Sequence, residues 1–103
     1  QMLHYPPHGF LARIVFEDED EGRVRETAET LARTLMEAGE NKVQVLGPAP
    51  APLEKLRGRF RQHILLKSNS RESLRIVGRL AQTEKPRWST TRKNLDIDPQ
   101  NLL

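Results

Sequence analysis

The spacing of the hydrophobic residues switches along this chain between every second residue and every third or fourth, and this switching constrains the fold most strongly. From Phe10 to Phe16 hydrophobic residues occupy alternate positions, as in a half-buried strand. From Val24 to Leu35 they recur at helical spacing. The first half of the chain therefore predicts a strand followed by a helix, with another short strand over residues 42–47.

The same two patterns return in the second half. Alternate residues from Arg59 to Lys67 form one apolar face and one mostly cationic face. Ser70 is placed to cap a second helix that runs to Thr83, and a last strand is expected over residues 92–97. The order strand, helix, strand, strand, helix, strand predicts an α+β fold, the ferredoxin-like split βαβ plait, with two helices on one face of a four-stranded sheet.

Three element boundaries are predicted from local chemistry. The acidic run Glu17 to Glu21 is expected to begin the first helix, because a helix N-terminus carries a partial positive charge. Gly39 is expected to end that helix in the left-handed conformation. Prolines alternate with alanines over residues 48–52, and proline cannot donate to a strand ladder. The second strand is therefore expected to stop there and to be followed by a stiff loop.

Length and composition predict one domain over residues 1–103. The chain has no cysteine, which excludes disulfides, thiolate chemistry and cysteine-ligated metals. No apolar run approaches the roughly 18 residues that span a bilayer, and the first residues lack the pattern of a signal peptide. We expect a cytoplasmic domain that does not bind membranes.

The patterns that mark catalytic sites are missing from the sequence. No glycine-rich stretch precedes a Lys-Ser or Lys-Thr pair, so a nucleotide-hydrolysis site is not expected. His4 and His8 have the spacing of metal ligands on a helix, but two prolines separate them. Asp96 and Asp98 alternate on a strand without a partner for acid–base chemistry, which favours strand-end caps or ion pairs. We expect a non-catalytic domain without cofactor or metal.

The charge of the chain is divided unequally between its halves. Residues 1–52 hold 5 basic and 9 acidic side chains, whereas residues 53–103 hold 12 basic and 5 acidic ones. A cation that meets a phosphate releases condensed counterions and so favours binding to nucleic acid. The charge of the second half therefore indicates nucleic-acid contact, with a merely solvated surface as the alternative.

Four cations stand at every second position: Lys55, Arg57, Arg59 and Arg61. In an extended segment they project to one side, and guanidinium groups bind phosphate in bidentate fashion. Lys67 continues the cationic face of the third strand. We expect these five residues to contact a nucleic-acid backbone, because aromatic residues for base stacking are scarce.

Arg71 opens the second helix, where free backbone amides and a cation together suit a phosphate or the carboxylate of a partner's tail. Arg75 lies one turn further on the same outer side. The alternative is an ordinary pair of exposed helix arginines.

Several segments resemble the C-terminal domain family of primosomal protein N′. They are Tyr5-Pro6-Pro7, the run Val45-Leu46-Gly47-Pro48-Ala49-Pro50-Ala51-Pro52-Leu53-Glu54-Lys55-Leu56-Arg57-Gly58-Arg59-Phe60-Arg61, the stretch Ile64-Leu65-Leu66-Lys67 and the end Asp96-Ile97-Asp98-Pro99. The resemblance covers nearly the whole chain, and its Gly-Pro-x-Pro-Ala-Pro loop before Lys-x-Arg-Gly-x-Phe-Arg is a specific motif.

The resemblance implies a plait like that of a small-subunit ribosomal protein, packed beside the helicase core of the same polypeptide. That core is expected to be an ATP-dependent 3′–5′ DNA helicase that uses ATP, magnesium and zinc at replication forks. The resemblance also implies binding to fork DNA through Lys55, Arg57, Arg59 and Arg61, and contact with single-stranded DNA-binding protein through Arg71. A free-standing RNA-binding or transcription-factor-like plait and a protein–protein docking domain stay open as alternatives.

Overall fold

A computed structural model describes residues 9–98, which form a four-stranded sheet and two helices. The elements are β1 (Phe10–Asp18), α1 (Glu21–Gly39), β2 (Gln44–Leu56), β3 (Arg59–Ser68), α2 (Arg71–Thr83) and β4 (Arg92–Asp98). The strands are ordered β2-β3-β1-β4, and all neighbours are antiparallel. The predicted ferredoxin-like α+β plait is confirmed. The lead-in around Tyr5 lies outside the described residues.

The core lies between the helices and one face of the sheet. On β1 and β3 every second side chain is buried, as the alternating pattern predicted. Each large apolar side chain that is fully buried contributes roughly 1.5–3 kcal/mol of transfer free energy. The fully buried large apolar side chains are Phe16, Ile14, Leu35, Ile64, Leu66, Leu74 and Val24. Within residues 9–98 no helix packs on the opposite face of the sheet, so the side chains on that face can contact a ligand or a partner.

The first helix begins later than the acidic run predicted. Glu17 and Asp18 belong to β1, and α1 starts at Glu21. Asp20 is the N-cap, and its carboxylate accepts a hydrogen bond of 2.9 Å from the Arg23 amide. The prediction was wrong for Glu17 and Asp18 because the β1 ladder continues through both residues, and ladder pairing outweighs the attraction of a carboxylate to the helix N-terminus.

The residue that ends α1 in the left-handed region is Glu40, with φ of 51°, and not Gly39. The Glu40 amide donates to the Met36 carbonyl at 3.1 Å. Gly39 serves packing instead, since a Cβ placed there would lie 3.0 Å from the Cβ of Val43. This glycine lets the chain after α1 pass close to the helix end.

Strand β2 continues through the proline segment to Leu56, so the predicted loop over residues 48–52 was wrong. Prolines are tolerated here because β2 is an edge strand that pairs on one side only with β3. The pairing register shifts twice, between Leu46 and Ala49 and between Pro50 and Lys55. Gly47, with φ of 104°, allows the first shift, where a Cβ would lie 3.0 Å from the His63 carbonyl oxygen.

The second helix has the predicted N-cap. The Ser70 hydroxyl accepts a hydrogen bond of 3.1 Å from the Ser73 amide. At the other end the Lys93 ammonium donates to the carbonyl oxygens of Ala81 and Glu84. Desolvation lowers the pKa of Lys93, although Glu84 opposes that shift. Lys93 thus holds β4 against the end of α2, where carbonyl groups lack helical partners.

A buried carboxylate joins three segments at one end of the sheet. Asp18 is fully buried, and its Oδ2 accepts hydrogen bonds from the hydroxyls of Thr91 at 2.6 Å and Thr90 at 2.9 Å. Its Oδ1 accepts from the Asp20 amide at 2.8 Å and from Arg23 Nε at 3.3 Å. Burial alone would raise the pKa of Asp18, but these hydrogen bonds lower it to about 2.

Acid should therefore remove part of the stability through Asp18. Because the folded-state pKa of about 2 lies below the ordinary 3.8, the ionised group stabilises the fold above pH 4 and loses this effect as the pH falls towards 2. The shift corresponds to about 2 kcal/mol. We expect the difference in unfolding free energy between the parent chain and Asp18→Asn, measured by urea denaturation, to shrink by that amount between pH 5 and pH 2. A difference that stays constant would contradict the role of the ionised carboxylate.

Candidate nucleic-acid interface

A tight hairpin joins β2 to β3 in the middle of the predicted cationic segment. Leu56 pairs with Arg59, which leaves Arg57 and Gly58 as the two turn residues. Both have positive φ, 55° and 79°, the pattern of a type I′ turn. Glycine adopts such angles freely, whereas an arginine in the left-handed region is strained by roughly 1–2 kcal/mol. The fold therefore keeps a strained cation at its hairpin tip.

The turn overturns the prediction that the four cations project to one side. Lys55 pairs with Phe60, whose side chain packs on the core, so Lys55 lies on the helix side of the sheet. Arg59 and Arg61 lie on the opposite face, and Arg57 lies in the turn itself. The prediction assumed an extended segment over residues 55–61, but the chain reverses at Arg57 and Gly58, and the alternation of side chains restarts on β3.

Arg59 and Arg61 are held by Glu17 on the neighbouring strand. Arg59 Nε lies 3.3 Å from Glu17 Oε1, and its Nη2 donates to the carbonyl oxygens of Glu17 at 3.2 Å and Thr90 at 2.9 Å. Arg61 Nε lies 3.7 Å from Glu17 Oε2, and its Nη1 donates to the Leu53 carbonyl at 3.0 Å. Each arginine side chain keeps only 16% of its surface exposed. Both arginines thus stabilise the sheet through contacts within the domain.

The outer end of the hairpin carries the accessible cations of the predicted segment. Lys55 and Arg57 are exposed, and the Lys55 ammonium lies 4.9 Å from the centre of the Phe60 ring. Leu53 and Leu56 are also exposed there, at 52% and 41%. The tip therefore presents two cations beside apolar surface, a combination that suits a phosphodiester chain with its sugars and bases.

The sheet face without helices also carries basic groups that were not among the predicted site residues, Arg13 and His63 among them. Arg13 on β1 donates from Nε to His63 Nδ1 on β3 at 3.1 Å. Burial, followed by the charges of Arg13 and Arg61, lowers the pKa of His63. Lys67 lies further along the same face, half-buried and opposite Leu11. Alternation in β1 could have found Arg13, because it stands between the buried residues of that strand.

The helix arginines lie where the sequence placed them. Arg71 is the first residue of α2, and Arg75 follows one turn later; both are exposed. The Arg71 guanidinium lies 5.4 Å from the centre of the Phe10 ring, within the range of a cation–π contact. This contact orients Arg71 without burying its charge.

A separate cavity of about 340 Å³ lies between α1 and the loop before β4. Phe16 and Leu31 line it from the core, and Trp88 lines it from the loop. The Arg87 guanidinium lies 4.9 Å from the Trp88 ring centre and 3.1 Å from a Glu26 carboxylate oxygen. Trp88 is half-buried beside the core.

Residues 9–98 carry neither a cluster of metal-ligating side chains nor a membrane-spanning helix. Within that range the structure shows no group of three or more His, Asp or Glu side chains that could hold a metal. It also shows no helix long and apolar enough to cross a membrane. The histidine pair at His4 and His8 lies outside the described residues.

Comparison with known proteins identifies similar chains. A family model described as the primosomal protein N C-terminal domain matches residues 1–100. A probable replication restart protein PriA of Deinococcus radiodurans is 33% identical over 99 residues, which are 96% of this chain and 10% of that protein. The replication restart protein PriA of Haemophilus influenzae is 33% identical over 102 residues, covering 94% of this chain and 13% of that protein. The replication restart protein PriA of Synechocystis is 28% identical over 102 residues, covering 99% of this chain and 12% of that protein.

The chain thus spans about a tenth of the length of these curated relatives. Among solved structures, the de novo designed protein Foldit4 is similar with a TM-score of 0.63 and 14% sequence identity. That match covers 87% of this chain and 96% of the designed one. At this identity the likeness shows the fold alone.

The two classes of arginine should differ in their effect on stability. We expect Arg59→Ala to lower the free energy of unfolding by roughly 2 kcal/mol, because it removes an ion pair with Glu17 and the hydrogen bonds to the carbonyl groups of Glu17 and Thr90. Arg57→Ala removes an exposed side chain and should change stability by less than about 0.5 kcal/mol. Urea denaturation at neutral pH measures both. Equal losses for the two variants would contradict the division into fastening and accessible arginines.

Proposed function

The chain belongs to the primosomal protein N C-terminal domain family, and we propose that it binds the DNA backbone at replication forks as one domain of a longer replication restart protein. In this role it is a non-catalytic module. The ATP-dependent 3′–5′ helicase activity, with its magnesium and zinc, belongs to the remainder of the polypeptide. The proposed setting is the bacterial cytoplasm.

The observation that carries the proposal is the hairpin tip with Lys55 and Arg57. A type I′ turn is most favourable with Asn-Gly or Gly-Gly, yet an arginine occupies its first position with φ of 55°. Strained residues that persist in a fold are concentrated at functional sites. A cation at this position gains the greatest reach from the sheet, which is what contact with a phosphodiester backbone needs.

The residues behind the tip have a supporting part in the proposal. Arg59 and Arg61 fix β3 against Glu17 and thereby hold the hairpin in place. Lys67 lies on the same sheet face as these arginines and extends the basic surface away from the tip. The net charge of +7 in residues 53–103 supplies the long-range attraction to a polyanion.

For the protein partners we propose that Arg71 and Arg75 receive the acidic tail of single-stranded DNA-binding protein. Support comes from their exposure on α2 and from the free amides at the start of that helix. The rest of the domain surface is proposed to pack beside the helicase core of the same polypeptide.

The proposal predicts the behaviour of a hairpin variant. We expect Lys55→Ala combined with Arg57→Asn to weaken binding to forked DNA and to reduce the slope of log affinity against log salt by about 2, since two phosphate contacts are lost. Asparagine suits the left-handed position, so stability should be unchanged or slightly higher. Fluorescence anisotropy across a salt series, with thermal unfolding alongside, measures both effects.

The matched control removes two exposed cations elsewhere, with Arg33→Ala and Lys42→Ala. This control should bind forked DNA with nearly the parental salt slope. Duplex DNA and RNA of equal length complete the series, and stronger binding to RNA would favour the free-standing RNA-binding alternative. Equal binding by the hairpin variant and the parent chain would refute the assignment of the hairpin. If the parent chain binds no nucleic acid, the protein–protein docking domain is the remaining alternative.

A further inference from the structure

We propose that Arg13 and His63, on the sheet face without helices, form an oxyanion site that takes up a phosphate group together with a proton. The two side chains meet directly, with Arg13 Nε 3.1 Å from His63 Nδ1. The proposal deepens the proposed function, because a phosphodiester is one source of the phosphate group. It does not depend on the hairpin tip.

The hydrogen bond defines the state of the histidine in the absence of a ligand. Arginine has donors only, so His63 Nδ1 must accept, and the imidazole is neutral with its proton on Nε2. Burial and the positive charges of Arg13 and Arg61 hold the pKa of His63 below its ordinary 6.5. The His63 imidazole is therefore unprotonated on Nδ1, because no negative charge of the described residues lies close enough to stabilise the imidazolium.

The strand that carries His63 and the strand beside it place several charged groups around the imidazole. On β1, Val15 lies opposite His63, flanked by Arg13 and by Glu17, which is already paired with Arg59 and Arg61. On β3 the neighbours on this face are Arg61 and Leu65, followed by Lys67.

The two outer strands add one carboxylate near the pair. Ala49 of β2 lies opposite His63. On β4, Asp96 lies opposite Arg13, Asn94 opposite Val15 and Arg92 opposite Glu17. Asp96 is two strands away from His63, roughly 10 Å at ordinary strand spacing. Positive charge therefore outweighs negative charge next to the imidazole.

Binding of an oxyanion would change this balance in one step. A phosphate oxygen beside the pair attracts a proton from solvent to His63 Nδ1, which then stops accepting from Arg13. Arg13 Nε and His63 Nδ1 then both donate to the phosphate oxygens, in charge-assisted hydrogen bonds. The half-buried Val15 and Leu65 on either side lower the local dielectric and strengthen these bonds.

The test is a titration of the His63 imidazole by NMR in the purified chain, alone, with oligothymidylate and with inorganic phosphate. Thymine and phosphodiester groups do not titrate between pH 5 and 8. His63→Asn identifies the signal among the three histidines of the chain. We expect the ligand to raise the pKa of His63 by about one unit, which corresponds to a roughly tenfold gain in affinity on protonation.

The matching binding measurement compares oligothymidylate affinity at pH 5.5 and pH 8. The parent chain should bind several-fold more tightly at pH 5.5, and His63→Asn should lose most of that difference while remaining folded by circular dichroism. A pKa shift with both probes assigns the site to nucleic acid. A shift with inorganic phosphate only assigns it to a small oxyanion, and an unchanged pKa with both probes overturns the proposal.

The outcome is separable from that of the hairpin. The variant with Lys55→Ala and Arg57→Asn should retain the pKa shift of His63, because neither residue neighbours the pair. Loss of fork binding in that variant, together with no ligand-induced change of the His63 pKa in the parent chain, would support the proposed function and refute this site. Parental fork binding in that variant, together with a ligand-induced rise of the His63 pKa in the parent chain, would refute the hairpin assignment and support this site.

Discussion

The buried carboxylate of Asp18 is the interaction on which the arrangement of this domain depends most. It accepts hydrogen bonds from the turn before α1, from Arg23 inside α1 and from the two threonines before β4. A buried charge is tolerated only when its oxygens are fully hydrogen-bonded, so the three segments are fixed together or not at all. The Asp18 carboxylate therefore fixes the positions of the end of β1, the start of α1 and the start of β4 relative to one another.

The neighbouring residue Glu17 does the corresponding work on the opposite face. Because side chains alternate along β1, Asp18 points into the core while Glu17 points to the open side and pairs with Arg59 and Arg61. Two adjacent carboxylates thus have different partners. Lys55 and Arg57 at the hairpin tip have no ion pair with Glu17, and both stay exposed.

Much of the fold could be predicted because each element has a local periodic signal. The helical stripe from Val24 to Leu35, the N-cap at Ser70 and the alternation in β1 and β3 all agreed with the structure. The failures came where a local preference competed with pairing. The acidic run was expected in a helix, and the proline segment in a loop, but both are partly or wholly in strands because a neighbouring strand pairs with them.

The sequence by itself determined the class of fold and the basic character of the second half, since periodicity and charge are properties of the order of residues. Only the tertiary structure decided which cations are accessible and which are fastened, because that depends on Glu17 meeting Arg59 and Arg61 across 42 or more residues of chain. The pairing of Arg13 with His63, 50 residues apart, was decided in the same way, since strand register places them side by side.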